Sequence, residues 1–151
     1  MKAAITTALA AMALGGAAAA QGSTQPRFVA AQDLNALAAK MTDGLASAPV
    51  PAGPNITALI VHRDRDGEVE VHAKLADELI MREGHARIRV GGSVTGQRQT
   101  APDEFRGGTL SGGTVYDFNP GDVIYIPAGM PHQMLTPTGT TIFYVAFKFQ
   151  G

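Results

Sequence analysis

The chain contains no cysteine in its 151 residues. That removes disulfides, thiolate metal ligands and thiol nucleophiles, and it rules out a lipoprotein anchor because there is no thiol to acylate. Basic charge is also scarce: 12 Lys and Arg stand against 13 Asp and Glu. With no basic stripe, nucleic acid is not an expected partner. Long hydrophobic runs are missing too. The one apolar stretch, Ala3 to Leu14, is short and rich in alanine, whereas a membrane span takes about 20 strongly apolar residues. Nucleophile elbows and phosphate loops are absent. Gly91-Gly92, Gly107-Gly108 and Gly112-Gly113 read as hairpin or loop glycines.

The apolar stretch instead has the layout of a secretory leader. Lys2 is the positive end and Gly15-Gly16 the break. Ala18-Ala19-Ala20 is a small-residue cleavage site, so residues 1–20 are expected to be removed. Removing Lys2 from the 12 basic residues leaves 11 against 13 acidic ones, a net charge of −2 on the mature chain. The expected address is the periplasm or outside the cell. Such compartments permit disulfides, so a cysteine-free domain must rely on its core, a metal or a partner subunit.

The remainder is one domain's worth of chain. Residues 21–54 read as a lead-in, a helix and a Pro-rich linker. Leu34, Leu37, Ala38, Met41 and Leu45 recur at helical spacing between Asp33 and Ser47, which predicts one amphipathic helix that covers a barrel face or docks on a neighbour. Ala48 to Pro54 then stops it. Residues 55–151 change to short strands separated by Gly, Asp and Pro, expected at Ile56–His62, Glu68–Lys74, Asp77–Arg82, Ala86–Val90, Ser93–Gln99, Thr114–Phe118, Val123–Ile126, Gln133–Thr136 and Thr141–Phe149. Ala101 to Gly113 reads as a mobile loop near the barrel mouth, and Tyr116, Tyr125 and Tyr144 as core residues.

The most informative stretch is Gly121-Asp-Val-Ile-Tyr-Ile-Pro127-Ala-Gly129-Met-Pro131-His132. Pro120-Gly121 breaks the chain, Val123 to Ile126 is of strand type, and Pro127-Ala-Gly129 breaks it again. Pro131 pushes Met130 toward the extended region, which starts the next strand with His132 set in direction. This G-x5-P-x-G-x2-H pattern resembles the second signature motif of the cupin family, with Thr136 where the family has Asn.

The family's first motif, G-x5-H-x-H-x3–4-E-x6-G, is matched in spacing by Glu70-x-His72, Asp77 and Gly84, with Asp64 at the opening glycine. A second register sets His72 and Lys74 on the paired histidines and Glu78 on the carboxylate, one residue short of Gly84. The first register implies metal ligands His72, His132, Asp77 and Glu70. Strand parity agrees with it: Glu70, His72 and Lys74 would share one face, and buried ionisable groups are costly unless paired or metal-bound. Lys74 and Glu70 are the candidate catalytic bases. His62, on the preceding strand, and His85, at a bend, are weaker candidates for any role.

The resemblance implies an all-β fold, a double-stranded β-helix or jelly-roll barrel with one N-terminal amphipathic helix. By strand parity Leu79, Met81, Ile88, Val90 and Met134 would line its pocket. It also implies one divalent transition metal per chain, Fe, Mn, Ni or Zn, a small-molecule substrate or ligand, and a possible homodimer. Two functions are expected: a metalloenzyme of dioxygenase, isomerase or lyase type acting on a small organic acid, sugar or phenolic, or a metal-free binding module for a sugar or metabolite.

Overall fold

A computed structural model describes residues 25–41 and 44–151. The expected leader, residues 1–20, and Thr42 and Asp43 lie outside the described residues. One helix, α1 (Ala31–Ala38), is followed by β1 (Ala46–Val50), β2 (Ile56–Arg63), β3 (Glu70–His72), β4 (Leu75–Glu83), β5 (Ala86–Val90), β6 (Ser93–Thr95) and β7 (Arg98–Ala101). Then come β8 (Glu104–Arg106), β9 (Thr109–Ser111), β10 (Thr114–Phe118), β11 (Val123–Ile126), β12 (His132–Leu135) and β13 (Ile142–Gln150). All the pairings are antiparallel, in a sheet of order β1-β2-β13-β4-β11, a second of order β10-β5-β12-β3-β8-β7, and a ribbon of β6 with β9. This is the expected jelly roll.

Alternation along the strands builds the core between the sheets. On β4, Leu79 and Met81 point inward, opposite Ala146 and Tyr144 of β13. Ile88, Met134, Phe118, Ile126 and Ile142 close the same cluster. Phe118, Met81, Ile88, Ile126 and Ile142 are among its fully buried members. Burying an aliphatic or aromatic side chain contributes about 1.5–3 kcal/mol. Ile60, on the opposite face of β2 from Val61, is buried as well, and α1 packs against β2.

Five local expectations need correction. The helix stops at Ala38 rather than Ser47. Gly44 has φ +56 and its N–H donates to Asp64 Oδ2 at 3.1 Å, so the chain has left helical geometry before Leu45. The Pro-rich segment is not only a linker: Ala46–Val50 pairs with β2 as an edge strand, the position where Pro49 is tolerated. The barrel therefore starts at Ala46 rather than at residue 55.

The expected strand Ser93–Gln99 is two strands, split at Gly96 (φ +73). Ala101–Gly113 is not a loop but contributes β8 and β9. Glycine makes that path possible. A Cβ on Gly92 would lie 2.3 Å from the Ser111 carbonyl oxygen and one on Gly108 would lie 2.3 Å from that of Thr95, so the β6–β9 ribbon is flanked by backbone approaches only glycine allows. Finally, Tyr116 and Tyr125 are about half exposed, at 49% and 54%, because they lie on edge strands with outward-facing registers. Tyr144 is buried as expected. No helix among the described residues is long and apolar enough to cross a membrane.

Candidate functional site

The Gly121–His132 stretch forms the turns its sequence indicates. Gly121 and Gly129 have φ +94 and +77. The Gly121 N–H donates to the Met81 carbonyl at 2.9 Å and the Gly129 N–H to that of His72 at 2.7 Å. The motif is thereby pinned to β4 and β3, and β12 begins with His132 pointing between the sheets.

Cross-strand registers assemble the ionisable groups. His132 lies opposite Glu70, Glu70 opposite Arg106, His72 opposite Glu104, and Asp77 opposite Lys148. Directly opposed side chains are the closest neighbours a sheet offers. His72, Asp77 and His132 are buried, and Glu70 retains 17% side-chain exposure. The two imidazole rings tilt 49° with centroids 5.4 Å apart.

Each imidazole is oriented through Nδ1. His72 Nδ1–H donates to Glu104 Oε2 at 2.5 Å, and His132 Nδ1–H donates to the Met130 carbonyl at 3.1 Å. Both Nε2 atoms are therefore turned inward. Asp77 Oδ2 lies 3.3 Å from His72 Nε2 and 3.4 Å from His132 Nε2; Glu70 Oε2 lies 3.5 and 3.8 Å from the same atoms. Ligand atoms around an ion bound at about 2.0–2.2 Å are roughly 3.0–3.5 Å apart. The group Glu70, His72 and His132 fits a metal ion on spacing and donor chemistry, with Asp77 close to both imidazoles.

Cations surround these carboxylates. Arg63 Nη2 donates to Glu70 Oε1 at 3.0 Å while its Nε donates to the buried Tyr144 hydroxyl at 2.9 Å. Arg106 also pairs with Glu70 and lies 3.6 Å from Glu104. Lys148 Nζ donates to Asp77 Oδ1 and Oδ2 at 2.7 and 2.9 Å and lies 2.7 Å from His72 Nε2, a contact that holds a single proton.

The electrostatics follow. Burial opposes the charge on Glu70, but the hydrogen bond with His72 and the charges of Arg106, His132 and Arg63 hold it well below the usual carboxylate range. Against the same burial, hydrogen bonds with His132 and His72 and the Lys148 charge hold Asp77 low. Burial pulls His72 down, yet Asp77 and Glu70 outweigh both that and Lys148, raising the imidazole to about 9.

A cavity of about 520 Å³ adjoins the cluster. Its floor includes Leu79, Ile88 and Met134, as strand parity suggests, whereas Met81 and Val90 do not reach it. Its walls carry Arg63, Arg98, Arg106 and Lys148, together with Glu68, Glu70 and Asp77.

The structure thus brings together Glu70, His72, Asp77 and His132. It does not bring Lys74. That side chain is 68% exposed and pairs with Asp103 at 3.0 Å, because β3 ends at His72 and Ala73 donates its N–H to the Asp103 carbonyl, which ends the strand alternation. Lys74 is therefore not a base in this site. His62 lies outside the cluster, paired across to Ala46 and Phe143, and His85 is exposed and bonded to Asn119. Arg63, Glu104, Arg106 and Lys148 were not anticipated. A readable signal existed for two places: Glu104-Phe105-Arg106 repeats the charged-apolar-charged alternation of Glu70-Val71-His72, and Lys148 interrupts an otherwise apolar strand in phase with Tyr144 and Ala146.

No family model matches this sequence, and no curated protein does. Solved structures do. A Thermus thermophilus protein superposes with a TM-score of 0.56 at 18% identity, over 78% of this chain and 94% of that one. A cupin-2 domain from Rhodospirillum rubrum gives 0.52 at 14% identity, over 70% of this chain and 60% of its own. The DMSP lyase DddQ of Ruegeria pomeroyi gives 0.50 at 16% identity, over 75% of this chain and 50% of its own. Identities this low carry the architecture alone; with two antiparallel sheets closed around the Glu70, His72 and His132 cluster, the chain has the cupin fold.

Proposed function

We propose that this chain is an exported metal-dependent enzyme acting on a small organic acid. The observation that carries the reading is the convergence of His72 Nε2 and His132 Nε2 on Glu70, each ring fixed through Nδ1, at the wall of a cavity sized for a small molecule. Two imidazoles and carboxylate oxygen suit Fe, Mn, Ni or Zn, one per chain. Glu70, His72 and His132 would hold it, with Asp77 as a further donor. Bound there, such an ion supplies Lewis-acid polarisation of a substrate oxygen.

The chain's own residues account for the rest. Arg63 and Arg106 hold Glu70 ionised and oriented. Arg98, Arg106 and Lys148 on the cavity wall are paired with Glu68, Glu70 and Asp77, so a substrate carboxylate would bind by exchanging into these ion pairs, and Leu79, Ile88 and Met134 would take its carbon skeleton. Glu70, flanked by two guanidiniums, is a poor base. Lys148, whose side chain lines the cavity, is the better-placed group to hold or move a proton beside a bound substrate. The fold shared with a lyase supports an enzyme reading without specifying the reaction.

Elemental analysis of the untagged protein, purified from its own compartment without chelator, tests this. About one transition metal per chain, lost in His132→Ala, is expected; a metal-free wild type or metal retained in His132→Ala removes the reading. N-terminal sequencing of the exported form tests cleavage after Ala20, and light scattering tests a homodimer.

A second reading, a metal-free binding module, is favoured by one observation. Glu70, Asp77 and Glu104 each already face a protein cation. Under it, organic acids or sugars raise the melting temperature of chelator-treated protein.

A further inference from the structure

The position of Lys148 bears directly on whether and how this site takes a metal. β13 sets Lys148 directly opposite Asp77, with its side chain only 15% exposed. Its nitrogen donates to both Asp77 oxygens, at 2.7 and 2.9 Å, and sits 2.7 Å from His72 Nε2. The Nδ1 of that ring is committed to Glu104. The one proton of the contact between Lys148 and His72 therefore uses the lone pair His72 could offer a metal, and the lysine also takes the carboxylate that lies near both imidazoles.

The charges point the same way. Glu70 is met by Arg63 and Arg106, Glu104 by Arg106 and His72, and Asp77 by Lys148. A divalent ion would bring two further positive charges into a compensated, largely buried cluster. An ammonium and a metal ion cannot share the His72 Nε2 lone pair, and like charges a few ångströms apart repel strongly where water is excluded.

We infer that Lys148 is a built-in competitor for the metal site: its ammonium and a divalent cation bind the same donors in mutual exclusion, and loading requires the lysine to leave Asp77 and His72. The side chain has somewhere to go. It lines the cavity of about 520 Å³, and its flexible four-carbon stem can carry the charge there. A loaded site would then present one more cation to an anionic ligand than the metal-free one does.

This inference rests on the metal-site reading, and one experiment separates their failures. Binding of Mn²⁺ and Zn²⁺ is measured by titration calorimetry on chelator-stripped full chain, for wild type, Lys148→Met, Lys148→Gln and His132→Ala. Circular dichroism and thermal melts verify the folding of each. Lys148→Gln keeps a hydrogen-bond donor for Asp77 and carries the comparison where Lys148→Met does not fold. Both Lys148 variants are expected to bind at least ~10-fold more tightly than wild type, from loss of one competing like charge, and His132→Ala to lose binding. Equal or weaker binding in the Lys148 variants overturns the inference while leaving the metal site standing. Binding in the variants with none in wild type upholds the inference and overturns the metalloenzyme reading for the natural protein. No binding to any form overturns both, since removing an excluding ammonium must admit the ion.

Discussion

Lys148 and Asp77 face each other across β13 and β4, Nζ to Oδ1 at 2.7 Å, in a register that begins at a bulge between Phe143 and Tyr144. Ahead of the bulge Phe143 pairs with Glu83; after it Tyr144 pairs with Met81. Had the first register continued, Lys148 would lie opposite Glu78 rather than Asp77. One extra residue in the ladder thus sets which carboxylate meets the lysine, as bulges commonly re-aim side chains at functional sites.

The metal-free protein should have a stability plateau on the acid side of neutrality, bounded at both ends. Asp77 and Glu70 are held below their usual range, so their contribution is full above the unfolded carboxylate range and falls away as acid protonates them. His72 is raised from 6.5 to about 9, so its contribution is full below 6.5 and disappears as pH rises through about 9. Melting temperature against pH should fall on the alkaline side across that window, and His72→Gln should remove the alkaline limb. A flat profile from pH 6.5 to 9 in wild type would contradict the pairing of His72 with Asp77 and Glu70.

Metal uptake should run opposite to that alkaline limb. A bound ion must displace the single proton held between His72 Nε2 and Lys148 Nζ, so apparent affinity should rise with pH up to about 9. Calorimetry in buffers of differing ionisation heat would register the released proton, and zero release would place the metal elsewhere.

Glu104→Gln tests the orientation of His72. Losing the carboxylate that accepts from Nδ1 should lower metal affinity by about 10–100-fold, the usual effect of removing such a support. Lys74→Ala, at an exposed residue paired with Asp103, should leave affinity unchanged.

Arg63→Met should be among the costlier single changes. Arg63 is 5% exposed and bonds both Glu70 and Tyr144, so its removal leaves a buried carboxylate with one partner fewer. A loss of about 3 kcal/mol is expected from breaking a buried pair, read from urea unfolding. Adding Glu70→Gln should recover part of it.

Two glycines with similar backbones should differ sharply. Gly129, φ +77, has open space where a Cβ would go, so Gly129→Ala should lose about 1 kcal/mol for the left-handed conformation alone. At Gly84, φ +78, the added carbon would lie 2.3 Å from the Thr141 carbonyl oxygen, and Gly84→Ala should lose roughly 3 kcal/mol or more. Equal losses by urea denaturation would mean that the Gly84 approach is not as drawn.

Local chemistry was legible where the chain dictates its own geometry. Gly121, Pro127 and Gly129 act through backbone torsion, so the turn before His132 could be read from residue types. Parity put Glu70 with His72 and Asp77 with Leu79 for the same reason. Lys74 escaped because parity holds only while the strand does, and nothing in Val71-His72-Ala73-Lys74 shows that β3 ends after three residues. Glu104 and Arg106 escaped because glycine-rich sequence resembles loop, whereas here the glycines let backbones approach closely. Lys148 escaped for a different reason. Its role is set by which strands lie beside β13, and that is a property of the whole sheet.

That sheet has a further consequence. β13 runs between β2 and β4, which are close in sequence but do not pair with each other. Until β13 is inserted, the first sheet has a slot through its middle, and Tyr144, which accepts from Arg63, and Lys148 have no place in the cluster. Pairing of such sequence-distant strands is slow to form. The charged cluster should therefore appear late and in one step with the closing of the barrel. A probe seated in it, such as metal uptake during refolding, would report completion of the fold rather than maturation of a local site.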